Sequence, residues 1–148
     1  IGSSFLPSDI TAAFLLGQLE NLADIQKKRI ALWQRYYENL RGLEKNKLLK
    51  LPLIPEYATN NAHTFYLLCN GAADRDGLLC HLKSNGVMAS FHYLPLHKSA
   101  FFQDKYQGLE LPRCDRYAET IVRLPLHCNL KNEEVDFICM KIKDFFNF

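Results

Sequence analysis

The sequence predicts an α/β fold in which a small sheet carries packed helices, an α+β sandwich, and three observations point to it. A long helical pattern fills the first third of the chain. Behind it come three short runs rich in β-branched, aromatic or aliphatic residues, at 63–69, 87–93 and 123–126. Helical segments bounded by Asn, Gly or Pro separate those runs, so the order is helix, strand, helix, strand, helices, strand, helix.

Taken in order, the chain opens on a loop. Gly2 permits unusual backbone angles, and Pro7 stops any helix before it. Ser8 is the expected N-cap, and Asp9 places a negative charge in the first turn. Ile10, Ala12, Ala13, Phe14, Leu15 and Leu16 make this helix apolar on most faces. Past Leu19 the pattern turns amphipathic. Leu22, Ile25, Leu32, Tyr36 and Leu43 share one face, while Lys27, Lys28, Arg35 and Glu38 take the water side. Gly42 is the expected stop. A straight helix over 8–41 would span about 50 Å, against a diameter near ~40 Å for a compact chain of this length. The helix therefore breaks near Gly17 or Asn21, or projects its first turns. Projected Phe14, Leu15 and Leu16 would form an exposed apolar surface, the mark of a partner domain or subunit outside this chain.

Pro52 and Pro55 make 51–57 an extended connection. Residues 63–69 read as the first central strand, ended by Asn70 and Gly71. Asp74 is expected to cap a helix through Lys83, closed by Asn85 and Gly86. The run 87–91 predicts a strand that ends near Tyr93, since Pro95 cannot donate to a ladder. A short helix is expected over 99–106 and another over 114–122, followed by the strand 123–126. Asn132 is expected to cap a last helix whose Val135, Ile138, Cys139 and Ile142 share a face.

Composition narrows the function classes. Hydrophobic residues make up 48% and charged residues 23% of 148, which suits one folded domain with its own core. The net charge is +2, with no basic cluster beyond Lys27, Lys28 and Arg29, so nucleic-acid binding has no support. No apolar run approaches the ~20 residues of a membrane span, and no signal-peptide pattern opens the chain. The five cysteines are odd in number and lack CxxC or zinc-type spacing, which suits a reducing, cytoplasmic setting. The chain begins at Ile1 rather than Met, so a fragment, or a chain lacking its first residues, is expected.

The densest chemistry lies in Phe91, His92, Tyr93, Leu94, Pro95, Leu96 and His97. A strand ending at Tyr93 would present His92 and Tyr93 to a ligand. Leu124, Pro125, Leu126 and His127 echo the motif, and two such strand ends side by side would line one mouth. A metal site built on His63, His92, His97 and His127 lacks interleaved carboxylates and any HxxxH or HExxH helix. A Cys–His nucleophile pair is disfavoured because every cysteine sits in an apolar setting. Anion or sugar recognition fits better, through His, Tyr, Ser and Asn donors at strand and loop ends. Ser3 and Ser4, just ahead of a helix N-terminus, would cradle a phosphate. The plainer account is that the histidines are structural and the serines are caps. It suffices for Ser8 and leaves Ser3 and Ser4 without a role.

The strings Gly2, Ser3, Ser4, Phe5, Leu6, Pro7, Ser8, Asp9, Ile10, then Gly17, Gln18, Leu19, Glu20, then Arg29, Trp33, Tyr36 and Tyr37, resemble the pyridoxal-phosphate-dependent sugar aminotransferases of the DegT/DnrJ/EryC/StrS type. The run from Asn61 to Tyr66, the His92 motif, and Arg123, Leu124, Pro125 and Leu126 continue the resemblance in order, over essentially the whole chain. The Gly-Ser-Ser-aromatic-Leu-Pro-Ser-Asp string is most similar to the subgroup of dTDP-4-amino-4,6-dideoxygalactose transaminases.

The resemblance implies the small C-terminal domain of a fold-type I aminotransferase. Residues 1–43 would be the linking loop and long helical segment, and 44–148 the sheet-and-helix domain. The large cofactor-binding domain, with the Schiff-base lysine and the aspartate that pairs the pyridine nitrogen, would lie outside the chain. Without them this polypeptide alone should not catalyse transamination. The intact enzyme, a homodimer, would use pyridoxal phosphate to move an amino group from glutamate to a dTDP-4-keto-6-deoxy sugar for surface polysaccharide. Ser4 falls where relatives place an asparagine that reaches the cofactor phosphate of the neighbouring subunit, with Ser3 beside it. Leu6 replaces a basic residue of the general motif, so a charge contact is lost there. His92 falls where relatives present a histidine to the active site, with Tyr93 and His97 as neighbouring substrate contacts. His63 is expected to be structural. The rival is a stand-alone interaction module that binds a partner through its N-terminal helix.

Overall fold

Phe65, Leu67 and Cys69 alternate with Tyr66 and Leu68, and that period of two makes a strand with one fully buried face. This strand, β2 (Phe65–Cys69), is the centre of a three-stranded antiparallel sheet. The computed structural model describes residues 5–102 and 104–148. In chain order these form α1 (Asp9–Glu20), α2 (Leu22–Lys45), β1 (Leu49–Lys50), β2, α3 (Ala72–Ser84), a 3-10 turn (Leu96–Lys98), α4 (Pro112–Thr120), β3 (Ile121–Leu124) and α5 (Asn132–Phe146). β1 pairs with β2 through Leu49 opposite Cys69, and β2 with β3 through Phe65 opposite Leu124.

The core lies between the buried face of the sheet and the helices. Leu32, Tyr36, Leu40 and Leu43 of α2 recur at spacings of three and four and are buried. They meet Val135, Ile138, Cys139 and Ile142, the buried stripe of α5 that the sequence predicts. Phe65 anchors this layer, edge-on to Trp33 at 5.2 Å and stacked with Tyr36 at 5.0 Å. Burial pushes the Cys69 and Cys139 thiols up to about 12.

Arg35, assigned to the water side by its periodicity, instead pins α2 to α5. Its Nε and Nη2 donate to the two carboxylate oxygens of Asp136 at 2.7 and 2.5 Å. Asn39 Nδ2 donates to the same carboxylate at 2.9 Å. The hydrogen bond from Arg35 holds Asp136 below the usual carboxylate range and raises Arg35 in turn.

The long helical pattern breaks at Asn21, one of the two expected points. Asn21 Nδ2 folds back to the carbonyl of Gly17 at 2.8 Å and competes with the helix ladder. Ser8 caps α1 as expected, accepting from Thr11 N. No residue of α1 is buried, and Ile10 and Phe14 are 81% and 76% exposed, so its apolar side chains face water.

Several boundaries depart from expectation. Gly42 does not stop α2, which runs on to Lys45 before Lys47 takes a positive φ of 59°. A Cβ at Gly42 would meet the Phe148 ring at 2.9 Å, so its small size serves a close approach of the C-terminus. β1 was not foreseen: two residues are too few to show a period. Gly71, not Asp74, stands at the N-cap of α3, and Asp74 lies in its first turn; Asn85 and Gly86 close the helix as predicted. Residues 87–93 do not form a strand. Ala89 N turns back to Val87 O at 3.1 Å, which diverts it from any ladder, and only Ser90 bridges to Arg123. Where a helix was expected over 99–106, the described residues form turns, with Phe102 N to Ser99 O and Lys105 N to Phe102 O both 2.9 Å. α4 starts two residues early because Pro112 suits the first helical position. β3 likewise comes earlier, at Ile121–Leu124, and ends where Pro125 has no N–H to donate. Lys131, not Asn132, caps α5: its backbone N–H donates to Glu134 Oε2 at 2.7 Å, one half of a capping box.

The depressed Asp136 carboxyl sets a pH dependence. Its contribution is present above the unfolded carboxylate value and is lost as pH falls through the folded one. Asp136→Asn should therefore lower the melting temperature at pH 7, and the gap to the parent should narrow toward about pH 2. A gap of constant size in melts across that range would contradict the pairing.

Candidate functional site

Three donors on successive turns of α2 face the segment that leads into β2. Gln26 Nε2 donates to the carbonyl of Asn61. Arg29 donates twice, through Nε to Ala62 O at 3.1 Å and through Nη2 to His63 O. Trp33 Nε1 donates to Thr64 O at 3.2 Å. Four consecutive carbonyls are thus held by one helix face, since positions 26, 29 and 33 repeat at three and four. The amides of Ala62 and His63 turn to the Asn60 and Asn61 side chains at 2.8 and 3.0 Å. Ala62 is fully buried with a φ of 48°, a left-handed conformation that these contacts hold in place. One helical turn further on, Tyr36 Oη donates to Pro125 O at 2.9 Å and so fixes the exit of β3.

Between these two fixed points opens a groove of about 190 Å³, lined by His63, Thr64, Met88, Ser90, Arg123 and Pro125 among others. Ser90 and Arg123 exchange backbone hydrogen bonds, Ser90 N to Arg123 O at 3.1 Å and Arg123 N to Ser90 O at 2.7 Å. His63 is exposed at this rim. The groove offers an imidazole, two hydroxyls and a guanidinium, a donor set for oxygen-rich or anionic groups. Arg123, named above only among the residues that carry the resemblance, and Ser90 were not expected as site residues. The signal for Arg123 is its place in a strand whose alternate residues Val122 and Leu124 are buried, which turns it to the opposite face.

The predicted site residues fall in separate places. His92 and Tyr93 lie in the irregular stretch after Ser90, not at a strand end, and both are exposed. Their rings meet edge-on, with centroids 4.3 Å apart. The two strand ends expected to line one mouth are thus reduced to the bridge of Ser90 with Arg123, and His92 leads away from it. His97 sits in the 3-10 turn, only 11% exposed, with Nε2 3.1 Å from Asp115 Oδ1. Lys98 Nζ reaches Asp115 Oδ2 at 2.8 Å. The hydrogen bond from Lys98 holds the Asp115 carboxyl below its ordinary value, and Lys98 is raised by the same contact. His127 is exposed beyond β3. Ser3 and Ser4 lie outside the described residues. The expectation that every cysteine is apolar and structural fails for Cys80 and Cys114, which are exposed. Among the described residues no three His, Cys, Asp or Glu side chains cluster as a metal site, and no helix is long and apolar enough to cross a membrane.

Comparison with known proteins agrees with this architecture. Residues 1–143 match the DegT/DnrJ/EryC1/StrS aminotransferase family. The aminotransferase TlmJ from Streptoalloteichus hindustanus is 25% identical with a TM-score of 0.86, over 96% of this chain and 37% of its own. DesV from S. venezuelae, solved in complex with a ketimine intermediate, is 26% identical with a TM-score of 0.81, over 90% of this chain and 35% of its own. Helicobacter pylori PseC, an aminotransferase involved in the biosynthesis of pseudoaminic acid, has a TM-score of 0.87 over 99% of this chain and 39% of its own. Its identity is 22%, and that likeness shows the fold alone. The chain thus spans about two fifths or less of the solved structures it matches.

The donor row makes a direct prediction. Arg29→Met removes two charge-assisted hydrogen bonds while keeping most of the side-chain volume. It should cost about 1.5–3 kcal/mol of unfolding free energy in denaturant melts. A loss no larger than the few tenths of a kcal/mol typical of surface substitutions would show that the clasp is incidental.

Proposed function

This chain belongs to the DegT/DnrJ/EryC1/StrS aminotransferase family, and from that we propose that it serves as the C-terminal small domain of a pyridoxal-phosphate-dependent sugar aminotransferase. Several of the strings that resemble the family, those around Arg29 to Tyr36, 61–64 and 123–125, meet at one end of the sheet. Arg29 and Trp33 clasp residues 61–64, Tyr36 holds Pro125, and Arg123 bridges Ser90 at the root of the His92 stretch. That convergence is the observation that carries the proposal, because it supports one groove from elements far apart in sequence.

In this proposal the substrate is a dTDP-4-keto-6-deoxy sugar, glutamate donates the amino group, and the product is the 4-amino sugar, of the dTDP-4-amino-4,6-dideoxygalactose type, for surface polysaccharide. The protein works in the cytoplasm as a homodimer. His92, Tyr93 and His97 contact the substrate, with His92 donating to a sugar hydroxyl or a cofactor oxygen. Ser3 and Ser4 reach a cofactor phosphate in the neighbouring subunit. The apolar side chains of α1, with exposed Met88 and Leu94, face the large domain or the second subunit, which fits their 90% and 74% exposure here.

Pyridoxal phosphate supplies the electron sink for amino transfer when bound. A Schiff-base lysine needs an amine whose pKa is lowered by burial or by nearby cations. Lys98, the lysine beside the histidine motif, is instead tied to Asp115 and raised. It does not fit that role, and in this proposal the covalent attachment belongs to the family's large domain.

His92→Ala in that intact protein should lower amino-sugar formation by a few-fold to about a hundred-fold. Its melting temperature should hardly move, since the side chain is exposed. His81→Ala is the opposite case. His81 Nε2 meets the Lys141 carbonyl at 3.1 Å and ties α3 to α5, so this variant should melt earlier and keep its turnover. Full turnover in His92→Ala would remove it from the site, and a melt earlier than that of His81→Ala would make it structural.

A further inference from the structure

A second groove, of about 320 Å³, opens where β2 ends, at the far end of that strand from the bridge of Ser90 with Arg123. One wall is the sheet edge, with Lys50 of β1 and Asn70. The other is the face of α4 that carries Arg113, Arg116, Tyr117 and Thr120, positions that recur at helical spacing. Three of these residues are cations, drawn from two separate elements, and no carboxylate lines the groove. Among the described residues, none of the ion pairs uses Lys50, Arg113 or Arg116. Asp115, which sits between the two arginines in sequence, turns the other way, to Lys98 and His97.

Like charges that converge without a counter-charge repel one another, and an anion between them relieves that repulsion. We propose that this groove binds a small ligand through a phosphate group carrying at least two negative charges, such as a diphosphate or a sugar phosphate. Arg113 and Arg116 present planar forks that match phosphate oxygens in pairs, and Lys50 closes from the opposite wall as a point charge. Tyr117 adds a hydroxyl donor and an aromatic face for the group that bears the phosphate. The cavity lies at the small end of the range for small-molecule sites. The Thr120 hydroxyl donates to the Arg116 carbonyl at 2.7 Å and helps to hold the arginine turn of α4.

The test is calorimetric titration of the full chain with inorganic pyrophosphate at low ionic strength, beside a chloride control of equal ionic strength. Saturable one-to-one binding is expected. Arg113→Gln with Arg116→Gln should weaken it by about ten-fold or more, as loss of charge-assisted contacts does. Lys27→Gln with Lys28→Gln removes the same charge from the exposed face of α2 and should weaken it by less than about two-fold, a purely long-range effect. Lys50→Gln, which leaves α4 intact, should weaken binding in the same direction as the arginine pair. It decides the question if circular dichroism shows α4 lost in the double variant. Absence of saturable binding in the parent chain, equal weakening by the two double variants, or unchanged affinity in Lys50→Gln overturns the proposal. Titration with inorganic phosphate and with a hexose phosphate then separates the sources: hexose phosphate binding tighter than phosphate and pyrophosphate supports a sugar phosphate, and pyrophosphate binding tighter than both supports a diphosphate.

Discussion

The row of donors that α2 turns toward residues 61–64 is the interaction on which the rest of this structure depends. A segment with four successive carbonyls pointing one way cannot satisfy them within its own strand pairing, and leaving them unpaired near a core would be costly. Gln26, Arg29 and Trp33 meet that requirement from one helix face. In doing so they fix where β2 begins, since the strand starts only at Phe65. Once β2 is placed, β1 and β3 pair on either side of it, and Tyr36 takes the carbonyl at the exit of β3. The long helix is therefore less a support behind the sheet than the ruler against which its register is set.

The same arrangement separates rigid from open regions. The α2–α5 layer is closed by buried aliphatic residues and the Arg35–Asp136 pair. The stretch from Met88 to Leu94 is joined to β3 by the short bridge at Ser90 and carries large apolar side chains to the surface. α1 does the same at the start of the chain. Apolar surface of this extent on a chain of this size marks contact with further protein. The proposed large domain and second subunit meet that need, and the groove between His63, Ser90 and Arg123 would then open toward their interface rather than toward bulk water.

Much of the fold was legible because its elements are strongly periodic or sharply punctuated. The face shared by Val135, Ile138, Cys139 and Ile142 and the close of α3 at Asn85 and Gly86 follow from local rules, while the length of the helical pattern narrowed its break to Gly17 or Asn21 without choosing between them. What escaped was set by distant partners. Arg35 looks like a water-facing residue until Asp136, about a hundred positions later, arrives beside it. Gly42 looks like a stop until the Phe148 ring needs the space. The run 87–91 has strand composition, but no neighbouring edge accepts it beyond Ser90, and composition cannot report that. For the candidate site, the histidines were conspicuous by residue type, whereas the pairing of Arg123 with Ser90 becomes visible only when β3 and the 87–93 stretch are brought together.

Trp33 is the single tryptophan of the chain, and its indole N–H reports on the donor row without interference. Hydrogen exchange of that N–H, followed by NMR in the parent chain and in Arg29→Met, tests most directly whether α2 holds residues 61–64. The indole proton should exchange orders of magnitude more slowly than in a free indole, because opening it requires loss of packed structure. That protection should fall sharply when Arg29 is replaced. Exchange in the parent at the rate of an exposed indole, or protection left untouched by Arg29→Met, would contradict the clasp as the constraint that sets the sheet.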